Sequence, residues 1–243
     1  MKTTRLDGLR AKAEETRARL LEAIPARYSP WAHLAATTGV GVGALTVGLW
    51  GIKGVAAAEL LVIPVTVVVA NGVEWWAHKH LLHRRTWPFE VLYDRHTPEH
   101  HAVYWEEAMA VTNYRELKLV LMPALGVLGA AAAMVPMSAV FGAVFTANTG
   151  WLFLTTAACY LVSYELLHTV YHLPEDHPLG RNPVLRWLSK HHARHHDPKQ
   201  MRSKNFNVTL PLFDWLLGTM AGDRSEDEEG QSEGSLASEA AAS

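Results

Sequence analysis

Leu119-Val-Leu-Met-Pro-Ala-Leu-Gly-Val-Leu-Gly-Ala-Ala-Ala-Ala-Met-Val-Pro-Met-Ser-Ala-Val-Phe-Gly-Ala-Val-Phe-Thr-Ala-Asn-Thr-Gly-Trp-Leu-Phe-Leu-Thr-Thr-Ala-Ala-Cys-Tyr-Leu-Val-Ser163 contains no charged residue. A helix needs ~20 apolar residues to cross the hydrocarbon of a bilayer, so this run holds two spans, with a turn expected near Pro136. Two more runs lie upstream, Leu34 to Ile52 and Leu60 to Trp76, the latter uncharged until Glu74. A soluble helix keeps a polar face, and these runs have none. The expected fold is all-α and integral to the membrane, with four transmembrane helices in two hairpins.

Charge placement sets the expected orientation. Seven Lys or Arg precede the first span, six lie between the second and third, and eight follow the fourth. Only Lys53 falls in the first hairpin turn. The positive-inside rule then puts both termini and the central loop in the cytoplasm. The organisation expected is an N-terminal amphipathic or cytosolic segment over residues 1–32, a membrane domain over 33–222 and an acidic, disordered tail over 223–243. Leu6, Leu9, Ala13 and Leu20 suit an amphipathic helix on the membrane surface, or a plain solvated one. The start, charged through Arg27, is not that of a signal peptide. Without the tail, 17 acids face 21 Lys and Arg, a balance suited to anionic headgroups. No stripe of bases and aromatics points to nucleic acid. Cys159, the only cysteine, excludes a disulfide framework and a thiolate metal site.

Ten of the fourteen histidines fall into four clusters, all on the expected cytoplasmic side. They are His78 and His83; His96, His100 and His101; His168 and His172; and His192, His195 and His196. Imidazole is the commonest protein ligand for transition metals. Residues three or four apart share a helix face, so His168 and His172 can chelate together. So can His192, His195 and His196, with the adjacent pair splayed towards two metals. His78 and His83, five apart, stand about 140° around an α-helix, which suits two metals or a helix end. Thr97-Pro98 and Asn182-Pro183 look like an N-cap with a first-turn proline, so His100 and His101 are expected in a first turn. The stretch from Asn205 to Gly218 reads as a loop and a short apolar segment packing back on the membrane.

Ten nitrogens exceed the four that a structural zinc takes. They suit two metals with open positions, forming a histidine-rich helical cap. Zinc has no redox chemistry, so a lipid-facing, nitrogen-rich site is more usefully a di-iron centre that activates O2, although zinc is a common replacement on purification. Glu74, Asp94, Glu165 and Asp197 are placed to orient rings through their second nitrogen. His33 suits the membrane interface and His177 a loop; His80 points away from His78 on a helix, leaving a ligand role as the lesser alternative, and His191, just before the last triplet, suits a group supporting a ligand.

Glu74-Trp-Trp-Ala-His-Lys-His-Leu-Leu-His83, Tyr164-Glu-Leu-Leu-His-Thr-Val-Tyr-His172, Leu188-Ser-Lys-His-His-Ala-Arg-His-His196 and the closing Asn205 to Thr219 resemble motifs of the membrane fatty acid hydroxylase and sterol desaturase superfamily. Arg115 to Pro123 is similar to a stretch of fatty acid 2-hydroxylases. The likeness covers roughly Glu74 to Thr219. It implies two iron ions held by the ten histidines, O2 as co-substrate, hydrogen abstraction from an unactivated C–H bond and hydroxyl return. One departure falls on His96: three residues, Thr97, Pro98 and Glu99, separate it from the pair where the family's motif has two. No fused cytochrome b5 domain is expected, so electrons would come from a separate ferredoxin or cytochrome with its reductase. The basic face with Arg84, Arg85, Lys190, Arg194, Lys199, Arg202 and Lys204 would dock it.

The expectation is a lipid C–H hydroxylase acting on a fatty acyl chain. The alternatives within the superfamily are a carotenoid ring hydroxylase and a sterol or lipid desaturase. A metal transporter is the non-enzyme alternative, but it places ionisable ligands along its spans, and Leu34–Ile52 and Leu119–Ser163 carry no His, Asp or Glu.

Overall fold

Apolar length becomes four long helices. The structure is a computed structural model that describes residues 2–174 and 176–222. The tail expected over 223–243 lies outside the described residues, as do the side chains of Leu6 and Leu9. In chain order the helices are α1 (Lys2–Glu22), α2 (Pro30–Gly51), α3 (Val62–Ala77), α4 (Glu90–Arg95), α5 (His101–Val103), α6 (Leu117–Val120), α7 (Ala124–Val144), α8 (Ala147–Tyr171), α9 (Pro183–His195) and α10 (Leu212–Leu216). There is no strand among the described residues.

Four helical stretches are long and apolar enough to cross a membrane: α2, Ala57–Leu82 (containing α3), α7 and α8. Their large side chains face outward; Trp50 is 83% and Leu125 82% exposed. In water that surface would cost about 25 cal/mol per Å², and in hydrocarbon it costs nothing. The chain is an all-α membrane protein.

α8 is the central element and packs against α2, α3 and α7. Small residues let it approach α2: a Cβ on Gly41 would run into Val162, and one on Gly48 into Thr155. Close backbone approach of this kind is how helices associate where no hydrophobic effect drives them together.

The second hairpin turns at Phe145 and Thr146, not at Pro136, which lies inside α7. Thr146 and Thr149 cap the start of α8 reciprocally, each hydroxyl accepting from the other's backbone N–H at 3.1–3.2 Å. Pro136 only removes one backbone donor, a loss that membrane helices tolerate. The two hairpin turns are tied to each other: Glu59 accepts from Thr146 Oγ1 and from Asn148 Nδ2, and Asn148 Oδ1 accepts from Lys53 N–H.

At the other end, α1 docks on the cap. Leu20 packs against the buried cluster of Val103, Tyr104, Val111, Leu119 and Val120, and the Arg17 guanidinium lies over the Tyr104 ring. Arg115 fastens the turn after α1 by donating to the carbonyls of Ile24 and Pro25 at 3.1 Å. α1 is thus neither a plain solvated helix nor one resting on lipid alone.

Candidate metal centre

Two widened turns build the first half of the site. His78–Leu82 continues α3 as a π turn with His83 at its end. α4 likewise runs through a π turn, His96–His100, into α5. Thr97-Pro98 therefore does not start a helix, as its sequence suggested. Pro98 has no N–H to give an α turn, and the chain widens so that His101 N–H bonds His96 O, five residues back. Thr97 uses its hydroxyl elsewhere, donating to Leu82 O at 2.7 Å. In a π turn, residues five apart stand above one another. That corrects the 140° expectation for His78 and His83: their rings stack 5.2 Å apart at 14°.

The second half follows the α period. His168 and His172 end α8, and Asn182 caps α9 by accepting from Val184 and Leu185 N–H. α9 carries His192 and His195, with His196 at its end.

These elements converge on two groups. His78, His83, His96, His101 and His195 bring one nitrogen each within 4.8 Å of one another, and so do His100, His168, His172 and His192. His196 borders the second group, its Nε2 3.2 Å from His100 Nε2 and 3.1 Å from His192 Nε2. The adjacent His195 and His196 thus point to different groups. His96, despite its odd spacing, has its Nε2 3.0 Å from His78 Nε2 and 3.1 Å from that of His101.

The rings are oriented by the main chain. His78 Nδ1 donates to Phe206 O, His100 to Leu119 O at 3.0 Å, His172 to Met109 O at 2.8 Å, His195 to Lys204 O at 2.8 Å and His196 to Tyr104 O at 2.9 Å. His83 Nδ1 lies 3.1 Å from Thr97 Oγ1, whose proton is already given to Leu82 O, so Thr97 accepts. Each Nδ1 is then protonated and each Nε2 is a bare lone pair.

None of the four acids expected to orient a ring does so. Glu74 accepts from Val208 N–H, Thr209 N–H, Thr209 Oγ1 and Tyr160 OH. Glu165 meets Met122 N–H at 3.4 Å, Asp94 pairs with Arg85 on the surface, and Asp197 caps Lys199 N–H. Their sequence proximity to histidines was real, but Glu74, Glu165 and Asp94 meet donors that only the fold supplies, and Asp197 turns to the N–H two residues on.

Bare lone pairs face each other at 2.9 Å between His83 and His195 and at 3.2 Å between His100 and His196. Two acceptors at that distance repel unless a cation lies between them. With metal–nitrogen bonds of ~2.0–2.1 Å, ligands on one ion stand roughly 2.9–3.4 Å apart. The buried Nε2 atoms of His168 and His172 have no hydrogen-bond partner at all. The donor set therefore fits two metal ions. Burial pushes the imidazoles of His83, His96, His100, His101, His192, His195 and His196 well below the usual range, and their mutual repulsion adds to it. His172 is pushed down to about 4 by burial. Neutral rings are the form that binds metal.

A family model described as Fatty acid hydroxylase matches residues 63–219, well over half of the chain. The chain belongs to the fatty acid hydroxylase family. Comparison with curated proteins and with solved structures found no match. As a member of the fatty acid hydroxylase family it is a membrane oxidoreductase of the lipid hydroxylase and desaturase superfamily.

The remaining histidines stand apart from the two groups. His33 spans Tyr28 OH and Met122 O, His80 packs against Trp75 and Trp76, and His177 caps the short turn at Pro178. His191 donates to Asp214, 3.1 Å away. Sequence reasoning missed Asn71, Glu116 and Asp214. Asn71 is buried within α3 and binds Tyr160 OH, Leu210 O and Phe213 N–H. A lone amide in an apolar run was the signal that could have found it.

Proposed function

We propose that this fatty acid hydroxylase family member is a di-iron, O2-dependent hydroxylase of lipid C–H bonds, acting on a fatty acyl chain. The observation that carries this reading is an apolar cleft at the membrane end of the cap. Leu82, Leu92, Leu119, Leu121 and Met122 line it, and His96, His100 and His168 open into it, so it touches both histidine groups. At about 30 Å³ the cleft does not seat a whole acyl chain; a chain lying along the adjoining lipid-facing helices would enter it by a short stretch, exchanging lipid for leucine at little cost and turning a C–H bond to the nitrogen-rich face.

The ten histidines would hold the two ions, His196 joining the four-histidine group. Iron, when bound, supplies the means by which dioxygen attacks an unactivated C–H bond. The chain's own part is positioning. The carbonyls that accept from Nδ1 fix the tautomers of five rings, and the leucines around the cleft exclude water. Inserting one oxygen atom and releasing the other as water consumes two electrons and two protons. A separate ferredoxin or cytochrome with its reductase would deliver them at the basic cytoplasmic face. The charge asymmetry between loops supports both termini and the cap being cytoplasmic.

The test is lipid mass spectrometry on a bacterial host expressing the chain under ¹⁸O₂. A variant with His195→Ala and His196→Ala serves as control. Acyl chains gaining one ¹⁸O only with the intact protein are the expected result. Loss of two hydrogens would make the protein a desaturase, and unchanged acyl lipids in the presence of a working reductase would overturn an acyl substrate.

A further inference from the structure

Two buried carboxylates, neither touching a ligand ring, stand in equivalent places. Asp214, fully buried, accepts from Phe206 N–H at 2.9 Å, Asn207 N–H at 2.8 Å, Thr219 Oγ1 at 2.7 Å and His191. It draws the segment 204–207 tight at Phe206 and Asn207. That segment supplies the carbonyls of Lys204 and Phe206 that hold His195 and His78, both members of the five-histidine group.

Glu116, also fully buried, accepts from Tyr104 OH at 3.0 Å and from the N–H and hydroxyl of Thr112. It closes the segment 104–112. That segment supplies the carbonyls of Tyr104 and Met109 that hold His196 and His172. His172 belongs to the four-histidine group and His196 borders it. Val111 N–H returns to His172 O at 2.9 Å, closing the same segment on the same histidine. Glu116 also immediately precedes α6, whose Leu119 carbonyl holds His100 of that group.

From this division we propose that Asp214 and Glu116 are positioning residues, each serving one metal position: Asp214 the five-histidine site, Glu116 the four-histidine site. The inference rests on the two-metal reading above. A carboxylate fits the task because one group accepts several N–H and O–H donors at once. Its charge-assisted hydrogen bonds are about twice as strong as neutral ones. An amide in its place turns one acceptor into a donor facing an N–H or a hydroxyl, so the segment shifts and its two carbonyls leave their imidazoles. Loss of an outer partner typically costs 10–100-fold in metal affinity.

The experiment measures metal content and zinc(II) or ferrous-iron affinity of the full chain in detergent micelles. The wild type is expected to hold two metals. Asp214→Asn and Glu116→Gln should each weaken one of them by about 10–100-fold and leave the other unchanged. Which one is lost is read in backgrounds that keep a single site. With His168→Ala and His192→Ala present, only Asp214→Asn should release the remaining metal. With His83→Ala and His101→Ala present, only Glu116→Gln should. Thr219→Val and Thr112→Val each delete one hydrogen bond to the respective carboxylate and should give smaller shifts of the same selectivity, covering the case where the carboxylate variants misfold. Two metals held by both carboxylate variants with unchanged affinity would overturn the inference, as would equal loss of both metals in each. A wild type holding fewer than two would instead overturn the two-metal reading.

Discussion

A ring whose Nδ1 proton is committed to a carbonyl has only one lone pair left to offer, and its direction is set by that carbonyl. Thr97 is the exception, a side chain doing this for His83. Thr97→Val keeps the shape and removes the acceptor, freeing His83 to adopt the other tautomer. We expect metal affinity to fall about 10-fold, read by competition with a chelating dye, while Thr97→Ser stays near wild type. Protonation acts on the same atoms. His172 has a folded-state value of about 4 against an unfolded value near 6.5. The unfolded chain therefore takes up protons first, and the stability this neutral ring contributes is full above pH ~6.5 and is lost as pH falls towards 4. Metal-stripped protein should thus melt progressively lower between pH 7 and pH 4.5 in thermal scans. A flat profile would contradict buried neutral imidazoles.

Helix period decided how much could be read in advance. His168 and His172, and the helix opened by Asn182-Pro183, were legible because they obey the 3.6-residue repeat. The π turns at His78–Leu82 and His96–His100 were not, since nothing in a local pattern marks where a helix widens. The turn at Thr146 was legible in principle through its threonine cap, but Pro136 was the louder signal and belongs inside α7. The carboxylates were visible as residues and illegible as contacts, because their partners arrive from segments more than a hundred residues away in the case of Glu74. Two predictions belong to elements. Asn71→Leu strands the Phe213 N–H and Leu210 O that bind its amide, at a cost of about 1–3 kcal/mol for each buried group left unpaired. Limited proteolysis should then cut within 205–222 faster than in wild type. Gly48→Leu drives a side chain into Thr155 across the α2–α8 contact, and overpacking of that kind costs about 1–3 kcal/mol. It should lower the melting temperature in detergent without changing metal stoichiometry at low temperature.

The whole molecule is a bundle with its two ends given different work. At one end Glu59, Thr146 and Asn148 only tie hairpin turns together. At the other, both π turns, α9 and the closing segment meet around the histidines. The proposed orientation, argued from the loop charges, has the second end in the cytoplasm. Cysteines introduced at Ser203 and at Ala56, in a Cys159→Ala background, should react with an impermeant thiol reagent from opposite sides of sealed vesicles. Labelling of both from one side would overturn the orientation.

Main-chain carbonyls, not side chains, aim five of the ten rings. A carbonyl is the same whatever residue carries it, so the identities of Lys204, Met109 and Leu119 are largely silent to the ring each one holds. Inserting or deleting a single residue beside them is not silent, because it swings the carbonyl away. Over generations the contacts with the rings would survive a change of letter, Leu119 and Met109 being held to apolar residues only by the core they pack in, while any change of length would break them; a library builder who varies composition within those bounds but never loop length there would keep the rings aimed.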